Sequence, residues 1–360
     1  MDRVVVAMSG GVDSAVAAAL LVEQGYEVIG VTMQIWPEGK PAPASARGCC
    51  SLDAVEDARR VAGKLDVPHY VFNMREEFGR TVIQDFVGEY LRGRTPNPCV
   101  QCNRHIKFDA LLDHARTLGA EWVATGHYAR IRRNTESAGW ELLRAVDASK
   151  DQSYVLHVLK QEQLSRSLLP LGEWTKLQVR ERARALGLRV SDKADSQEIC
   201  FVPDGNYGHF LEEVEPDTLR PGKVVDTAGR VRGEHRGVAF YTVGQRKGLG
   251  IASNVPMYVT RIDAGENLIV IGDDAETLSR GCLVSDMNWI GVSEPAVAIP
   301  VGARIRYNMH EASARVEPMD DGRWRLIFDE PQRAITPGQS AVLYREEQVL
   351  GGGVIDCSAD

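Results

Sequence analysis

From Arg3 onward the chain alternates short, β-rich apolar runs with stretches whose apolar positions recur at helical spacing. Strand-like runs fall at residues 4–8, 28–35, 69–72 and 122–125, and helix-like stretches at 14–24, 53–65, 76–91 and 105–118. This βαβα order predicts a doubly wound parallel sheet with helices on both faces and a ligand at the carboxyl ends of the strands. A further helix is expected over 178–186, closed by Gly187, and the rhythm is lost after residues 201–205. From Pro221 the texture changes to short alternating runs, 238–243 and 257–260, separated by Gly, Asn and Asp, as in antiparallel β structure. Beyond Cys282 more strands are expected at 304–307, 312–316, 323–328 and 341–344, close to the spacing of a small barrel. The expected architecture is therefore an α/β domain over 1–205, a small central β-rich domain over 206–280 and a C-terminal β-barrel over 281–360.

A length of 360 residues suits two or three domains, and 44% apolar with 26% charged residues is ordinary for globular chains, which excludes a disordered or fibrous protein. The first residues carry Asp2 and Arg3 ahead of four apolar positions, and no later apolar run approaches the roughly 18 residues of a spanning helix. A soluble, cytoplasmic protein without a membrane partner is expected. Seven cysteines are too sparse for a disulfide scaffold and read as thiols, metal ligands or redox groups. The net charge of -8 excludes a uniformly basic nucleic-acid binder. Residues 80–133 nevertheless carry +4 while the rest of the chain carries -12, so a polyanion would dock near that segment unless it is simply a solvated helical face.

The most specific local pattern is Ser9-Gly10-Gly11-Val12-Asp13-Ser14, set between the first strand and the first helix. Two glycines permit a tight turn with bare N–H groups, and the serines and the helix N-terminus add hydroxyl donors and positive dipole, which together make a phosphate cradle. It is not of the Walker type, because no Gly-Lys-Ser/Thr follows and no lysine is at hand for the outer phosphates. Asp13 beside phosphate requires a cation, Mg²⁺, or a role in placing pyrophosphate. The loop resembles that of the ATP pyrophosphatase (PP-loop) family, whose members activate a substrate as an adenylate and release pyrophosphate. That resemblance implies an ATP site at Ala7, Met8, Ser9, Gly10, Gly11, Val12, Asp13 and Ser14. Met33 and Gly126, each at the end of an expected strand, complete it, the glycine allowing close backbone approach.

Asn97-Pro98-Cys99-Val100-Gln101-Cys102-Asn103 places two thiols three residues apart, just before the helix expected from His105 and near Arg94, Arg104 and Lys107. Such surroundings lower a thiol pKa and favour a nucleophile. Cys200, in Ser196-Gln197-Glu198-Ile199-Cys200-Phe201, stands alone, so a structural zinc site with two close pairs is not expected. Cys282, Cys357 and the adjacent Cys49 and Cys50 read as small apolar residues.

A PP-loop combined with these thiols, with Gly126-His127-Tyr128-Ala129, Lys150-Asp151-Gln152-Ser153-Tyr154, the 241–250 run and Pro337-Gly338-Gln339, resembles the bacterial-type tRNA-specific 2-thiouridylases along the whole chain. The resemblance implies ATP-dependent 2-thiolation of the wobble uridine in the anticodon stem-loop, with sulfur supplied by a cysteine desulfurase or sulfur-relay protein. It implies that Cys200 carries a persulfide and that Cys102 attacks or resolves it, leaving a Cys102–Cys200 disulfide. It also implies target-base contact by Asn97, and tRNA contact by His127, Lys150, Asp151, Gln152, Arg306, Tyr307 and Gln339. The family pattern has Asp where this chain has Cys99. A thiol serves as a base only when ionised, and Cys99, Cys102 and Cys200 could instead be three ligands of an iron–sulfur cluster. Two readings compete with thiolation: a PP-loop ligase forming an amide, and a tRNA-binding or redox-sensing protein without catalysis. The first would need an ammonia source and no paired thiols, and an intact loop argues against the second.

Overall fold

The computed structural model describes residues 1–36, 52–135, 138–193, 199–202 and 205–359, so the expected roles of Cys49, Cys50 and residues 196–198 lie outside the described residues. The chain forms two compact units: Met1–Ile83 with Pro98–Gly205 and Glu347–Val349, and Gln84–Asn97 with Asn206–Glu346 and Leu350–Asp360.

In the first unit, β1 (Arg3–Ala7), α1 (Val12–Glu23), β2 (Glu27–Gln34), α2 (Leu52–Lys64), β3 (His69–Asn73) and β4 (Trp122–Ala124) follow in turn. β5 (Ala129–Arg133) and β6 (Trp140–Arg144) form an antiparallel hairpin, and β7 (Ser167–Leu168) closes the parallel sheet. The sheet order is β3-β2-β1-β4-β7, all parallel. Val4, Val5 and Val6 have no exposure, which is why β1 reads as an unbroken apolar run. Val4 and Val6 pack with Val16 and Leu20 of α1 and Val61 of α2, while strand alternation turns Val5 to the other face. The chain runs from β1 outward to β3 and then returns to the far side of β1 as β4. This reversal opens a crevice at the carboxyl ends of β1 and β4, the usual place for a ligand in an open α/β sheet.

In the second unit, β8 (Gly222–Asp226), β9 (Val231–His235), β10 (Tyr258–Asp263) and β11 (Leu268–Gly272) form a sheet in the order β10-β11-β8-β9. Six further strands follow: β12 (Leu278–Trp289), β13 (Ile299–Arg304), β14 (Ala312–Pro318), β15 (Trp324–Arg333), β16 (Ser340–Arg345) and β17 (Gln348–Ser358). They run β12-β15-β14-β13-β16-β17, and pairing of β12 with β17 closes them into a barrel around Val284, Trp324, Leu326, Phe328, Leu343 and Ile355. Closure removes the open edges that an antiparallel sheet otherwise presents. Cys282 is part of that core, and burial pushes its thiol pKa up to about 12. The Gln84–Asn97 segment joins this unit through stacked Tyr90 and Tyr207, 4.5 Å apart, and through Phe86 edge-on to Phe210 at 6.0 Å.

The fold class is as expected, while several elements differ. The helix expected from residue 105 begins at Pro98, because proline suits a first turn whose N–H has no partner anyway. It runs through a π-helical stretch, Cys102–Ala110, to Leu111–Thr117, and a second π-helical stretch, Gly79–Ile83, interrupts the helix expected over 76–91. The run at 238–243 contains a 3-10 turn, Val238–Phe240, in place of a strand; it follows Gly237 at φ 147° and buries Ala239 and Phe240. Residues 305–307 form a bend rather than a strand, since the Arg304 guanidinium turns back to the carbonyls of Tyr307 and Met309. The β5–β6 hairpin is unanticipated, and buried Glu141 within it is held by Arg132 and Asn134. Among the described residues no helix is long and apolar enough to cross a membrane.

Candidate functional site

The phosphate loop sits in the β1/β4 crevice. Ala7 ends β1, Met8 still donates its N–H to Val31 O at 2.8 Å, and Ser9 leaves the sheet. Gly10 has φ +67°, and a Cβ there would lie 2.3 Å from Ala54 O at the start of α2, so only glycine fits. Gly11 is the extended N-cap and Val12 the buried first residue of α1. Ser14 Oγ accepts the Ser9 N–H at 3.1 Å, donates to Gly11 O at 3.2 Å and lies 3.3 Å from Ser9 Oγ. Ser14 is only 4% exposed, so its hydroxyl braces the turn from inside and leaves phosphate to the loop amides and Ser9. Met33 lies half-buried near the end of β2, one residue past Thr32, whose hydroxyl donates to Met8 O at 2.8 Å.

Asp13 is held from two directions. Lys176 Nζ donates to both of its oxygens at 2.8 Å, and the Tyr128 hydroxyl donates to Oδ1 at 2.7 Å. Lys193 Nζ donates to Gly10 O at 3.0 Å and to Asp57 at 2.9 Å. The expectation that the loop lacks lysines is therefore corrected: two arrive from more than 160 residues away. Lys176 opens a helix, Lys176–Ala185, whose Thr175/Gln178 capping box is the sequence signal that marks its start. Gly126 comes close to the loop itself: a Cβ there would stand 2.7 Å from Asp13 C and Ser14 N. A carboxylate set among amide donors with two ammonium groups nearby suits Mg²⁺-bound polyphosphate, since metal, lysine and dipole would share the charge.

The thiols occupy the same unit. Cys99 lies exposed in the first helical turn from Pro98, and half-buried Cys102 opens the π-helical stretch. Cys200 lies half-buried in a turn, followed by Phe201, which packs edge-on to Phe78 at 5.6 Å. Phe78 ends the short helix Arg75–Phe78, which packs against Cys102–Ala110, so an apolar anchor ties the Cys200 turn to the region carrying Cys102. Among the described residues no group of three or more His, Cys, Asp or Glu side chains is gathered to hold a metal ion, and Cys99, Cys102 and Cys200 do not form one.

His127 is 7% exposed, with both ring nitrogens close to protein groups. Its Nδ1 lies 2.7 Å from Thr125 Oγ1 and its Nε2 3.5 Å from Lys107 Nζ. An ammonium can only donate, so Nε2 accepts and Nδ1–H points to the threonine. Burial and, secondarily, Lys107 hold His127 well below the usual histidine range, so it is neutral. Asp151, 8% exposed, accepts from the N–H groups of Ala145 and Ser153, and Gln152 Oε1 accepts the Tyr128 N–H at 3.0 Å. Gln152 is thereby linked to the loop through Tyr128, whose hydroxyl reaches Asp13. Lys150 is half-buried beside them.

In the second unit, Arg306 Nη2 donates to Ala334 O at 2.5 Å and Thr336 Oγ1 at 2.7 Å, with Val243 O at 3.4 Å. Tyr307 and Asn97 are half-buried. Gln339 Nε2 donates to Thr95 O at 2.9 Å and Pro96 O at 3.3 Å.

A doubly wound sheet with this loop at its switch point, followed by two β domains, defines a multidomain protein of the PP-loop ATPase class. The chain matches the tRNA methyl transferase HUP domain over residues 2–204, the tRNA methyl transferase PRC-barrel domain over 208–273 and the aminomethyltransferase beta-barrel domain over 279–355. It is 55% identical over 356 residues to the tRNA-specific 2-thiouridylase MnmA of Heliobacterium modesticaldum, covering 98% of this chain and 92% of that one. It is 53% identical to the protein of the same name from Moorella thermoacetica, covering 98% and 99%, and 54% identical to that of Carboxydothermus hydrogenoformans, covering 98% and 97%. The chain belongs to the tRNA-specific 2-thiouridylase family.

Proposed function

We propose that this protein is a cytoplasmic sulfurtransferase that uses ATP to convert the C2 carbonyl of the wobble uridine of tRNA to a thiocarbonyl. The uracil oxygen is a poor leaving group, and transfer of AMP to it makes a good one with release of pyrophosphate. The loop amides and Lys176 would hold the departing phosphates, and Asp13 would hold a Mg²⁺ ion, which would supply further positive charge to them. Cys200 carries a persulfide loaded by a separate sulfur donor. Cys102 thiolate attacks the Cys200 sulfur, forms the Cys102–Cys200 disulfide and expels hydrosulfide, which adds at C2 and displaces AMP. A cellular thiol reductant supplies two electrons to restore both thiols. Cys99, in the first turn of the same helix, supports this chemistry in place of the family's Asp, and Lys107, steadied by neutral His127, adds positive charge to that helix.

The three divisions 1–205, 206–280 and 281–360 then serve activation with sulfur transfer, connection, and tRNA engagement. Asn97 would meet the target base, with Lys150 and Tyr307 on phosphate or exposed bases. The observation that carries this reading is the charged phosphate loop on the same compact unit as Cys99, Cys102 and Cys200. The test is labelled ATP with unmodified tRNA and a persulfide donor. Pyrophosphate release that depends on tRNA, together with 2-thiouridine in the digested product, is expected. Pyrophosphate release with ammonia and a small acceptor, independent of tRNA, would overturn it in favour of amidation.

A further inference from the structure

Gly10 is gripped from behind. Its backbone turns at φ +67° against Ala54 of α2, and its carbonyl oxygen accepts from Lys193 Nζ at 3.0 Å. Asp57, about one helical turn beyond Ala54, accepts from the same ammonium at 2.9 Å and keeps it in place. In a planar trans peptide the C=O and N–H point opposite ways, so holding Gly10 O toward Lys193 holds Gly11 N–H away from it. Gly11 carries no side-chain cap for α1, and among the described residues its N–H has no acceptor. Lys193 is held in turn by the helix Lys176–Ala185. Arg180, one turn after Lys176, donates through Nη1 to Ser191 O at 2.9 Å and through Nη2 to Lys193 O at 3.3 Å. The Lys193 N–H donates to Val190 O at 3.2 Å, closing the turn Arg189–Asp192, while Leu188 and Val190 pack into the apolar core that holds α1. One helix thus reaches the phosphate loop twice: at Asp13 through Lys176, and at Gly10 through Arg180 and Lys193.

We propose that Lys193 and Arg180 are positioning residues of the nucleotide site, which rests on the ATP-dependent reading above. Lys193 aims the Gly10–Gly11 peptide so that Gly11 N–H meets a pyrophosphate group, and Arg180 acts by holding Lys193. A charged donor on the carbonyl also polarises the peptide and strengthens its N–H as a donor. Without Lys193 the peptide is free to rotate, and a carbonyl turned into the crevice would repel phosphate.

The full-length protein tests this in titration calorimetry without tRNA, with ATP and Mg²⁺, inorganic pyrophosphate and adenosine as probes. Lys193→Met should weaken ATP and pyrophosphate about tenfold, the worth of a charge-assisted hydrogen bond, and leave adenosine within about twofold. Arg180→Met should weaken the same two probes about threefold. The double variant should bind them no more weakly than Lys193→Met alone, because both residues act on one peptide. Lys193→Arg, which keeps a charged donor, should recover most of the affinity. Equal losses for all three probes would make Lys193 a purely structural residue and overturn the proposal, as would unchanged pyrophosphate affinity or additive losses in the double variant. If Lys193→Met does not fold, Lys193→Gln, a neutral donor, decides: a smaller loss confined to the phosphate-bearing probes supports the proposal, and no loss overturns it. A wild-type protein that thiolates no tRNA, in which these losses are still seen, sinks the functional reading and leaves the role of Lys193 standing. Thiolation by a wild-type protein whose variants keep full ATP and pyrophosphate affinity does the reverse.

Discussion

The phosphate end and the thiol end of the first unit are built by different means. At the phosphate end a contiguous run of six residues is locked by charge and hydrogen bonds: Asp13 under Lys176 and Tyr128, Gly10 under Lys193, Ser9 under Ser14. At the thiol end two cysteines share a helix with a π-helical stretch, a third lies about a hundred residues on, and Phe201 against Phe78 ties the two regions. The first arrangement is preorganised for a charged ligand that arrives complete. The second, in the proposed reaction, holds partners that exchange sulfur in steps, and it joins them by apolar packing, which has no preferred direction and tolerates rearrangement.

Separating the two ends by mutation should produce opposite losses. Cys200→Ser should abolish 2-thiouridine in digested tRNA, a fall of more than about a thousandfold, while tRNA-dependent pyrophosphate release continues. Normal thiolation by that variant would make Cys200 structural. Asp13→Ala should lower pyrophosphate release by about a hundredfold or more and leave gel-shift affinity for tRNA unchanged; the reverse pattern would remove Asp13 from the nucleotide site. Phe201→Ala, at a side chain only 2% exposed, should destabilise the protein by about 4 kcal/mol in denaturant titration and speed alkylation of Cys200. A cost below about 1 kcal/mol would deny the anchor.

Acid should act mainly at the thiol end. Burial lowers His157 to about 4 and holds His127 well below the usual range. Between about pH 4 and 6.5 the unfolded chain then binds more protons than the folded one, so stability is full above the upper limit and falls as pH drops. The loss for His157 is about 3 kcal/mol across that window, and His157→Gln should flatten the dependence seen in melting temperature. A wild-type melting temperature constant from pH 6.5 to 4.5 would refute the assignment. The smallest effect expected is for Tyr128→Phe, which deletes one hydrogen bond to Asp13. It should weaken ATP binding by about three- to tenfold in titration calorimetry, with the Cys102 alkylation rate unchanged.

The same contrast decided what could be read from the sequence. The phosphate loop was legible because its turn, helix start and charge lie in adjacent positions between two periodic runs. Lys176 and Lys193 were not, because a lysine carries no local sign of the loop it will meet, and only the Thr175/Gln178 box hinted where that helix begins. Residues 238–243 alternate like a strand, yet tertiary burial of Ala239 and Phe240 after Gly237 won over β propensity. The β5–β6 hairpin hid its inner position behind Glu141, a charge that pays for burial only through Arg132 and Asn134. His127, Asp151, Gln152 and Arg306 look like surface polar groups in the sequence, and folding turns their hydrogen bonds inward.

Gly126 bears on how such a protein can fail over evolutionary time. A methyl group at that position would press first on the backbone of Asp13 and Ser14, in the loop itself. A descendant carrying alanine there could keep its helices, its barrel and its thiols, and would pass for intact by spectroscopy or by overall sequence similarity. The catalytic motif would still be spelled correctly. In a collection of related genes, position 126 is therefore one place where decay of the proposed nucleotide site would be written without any change in the run from Ser9 to Ser14.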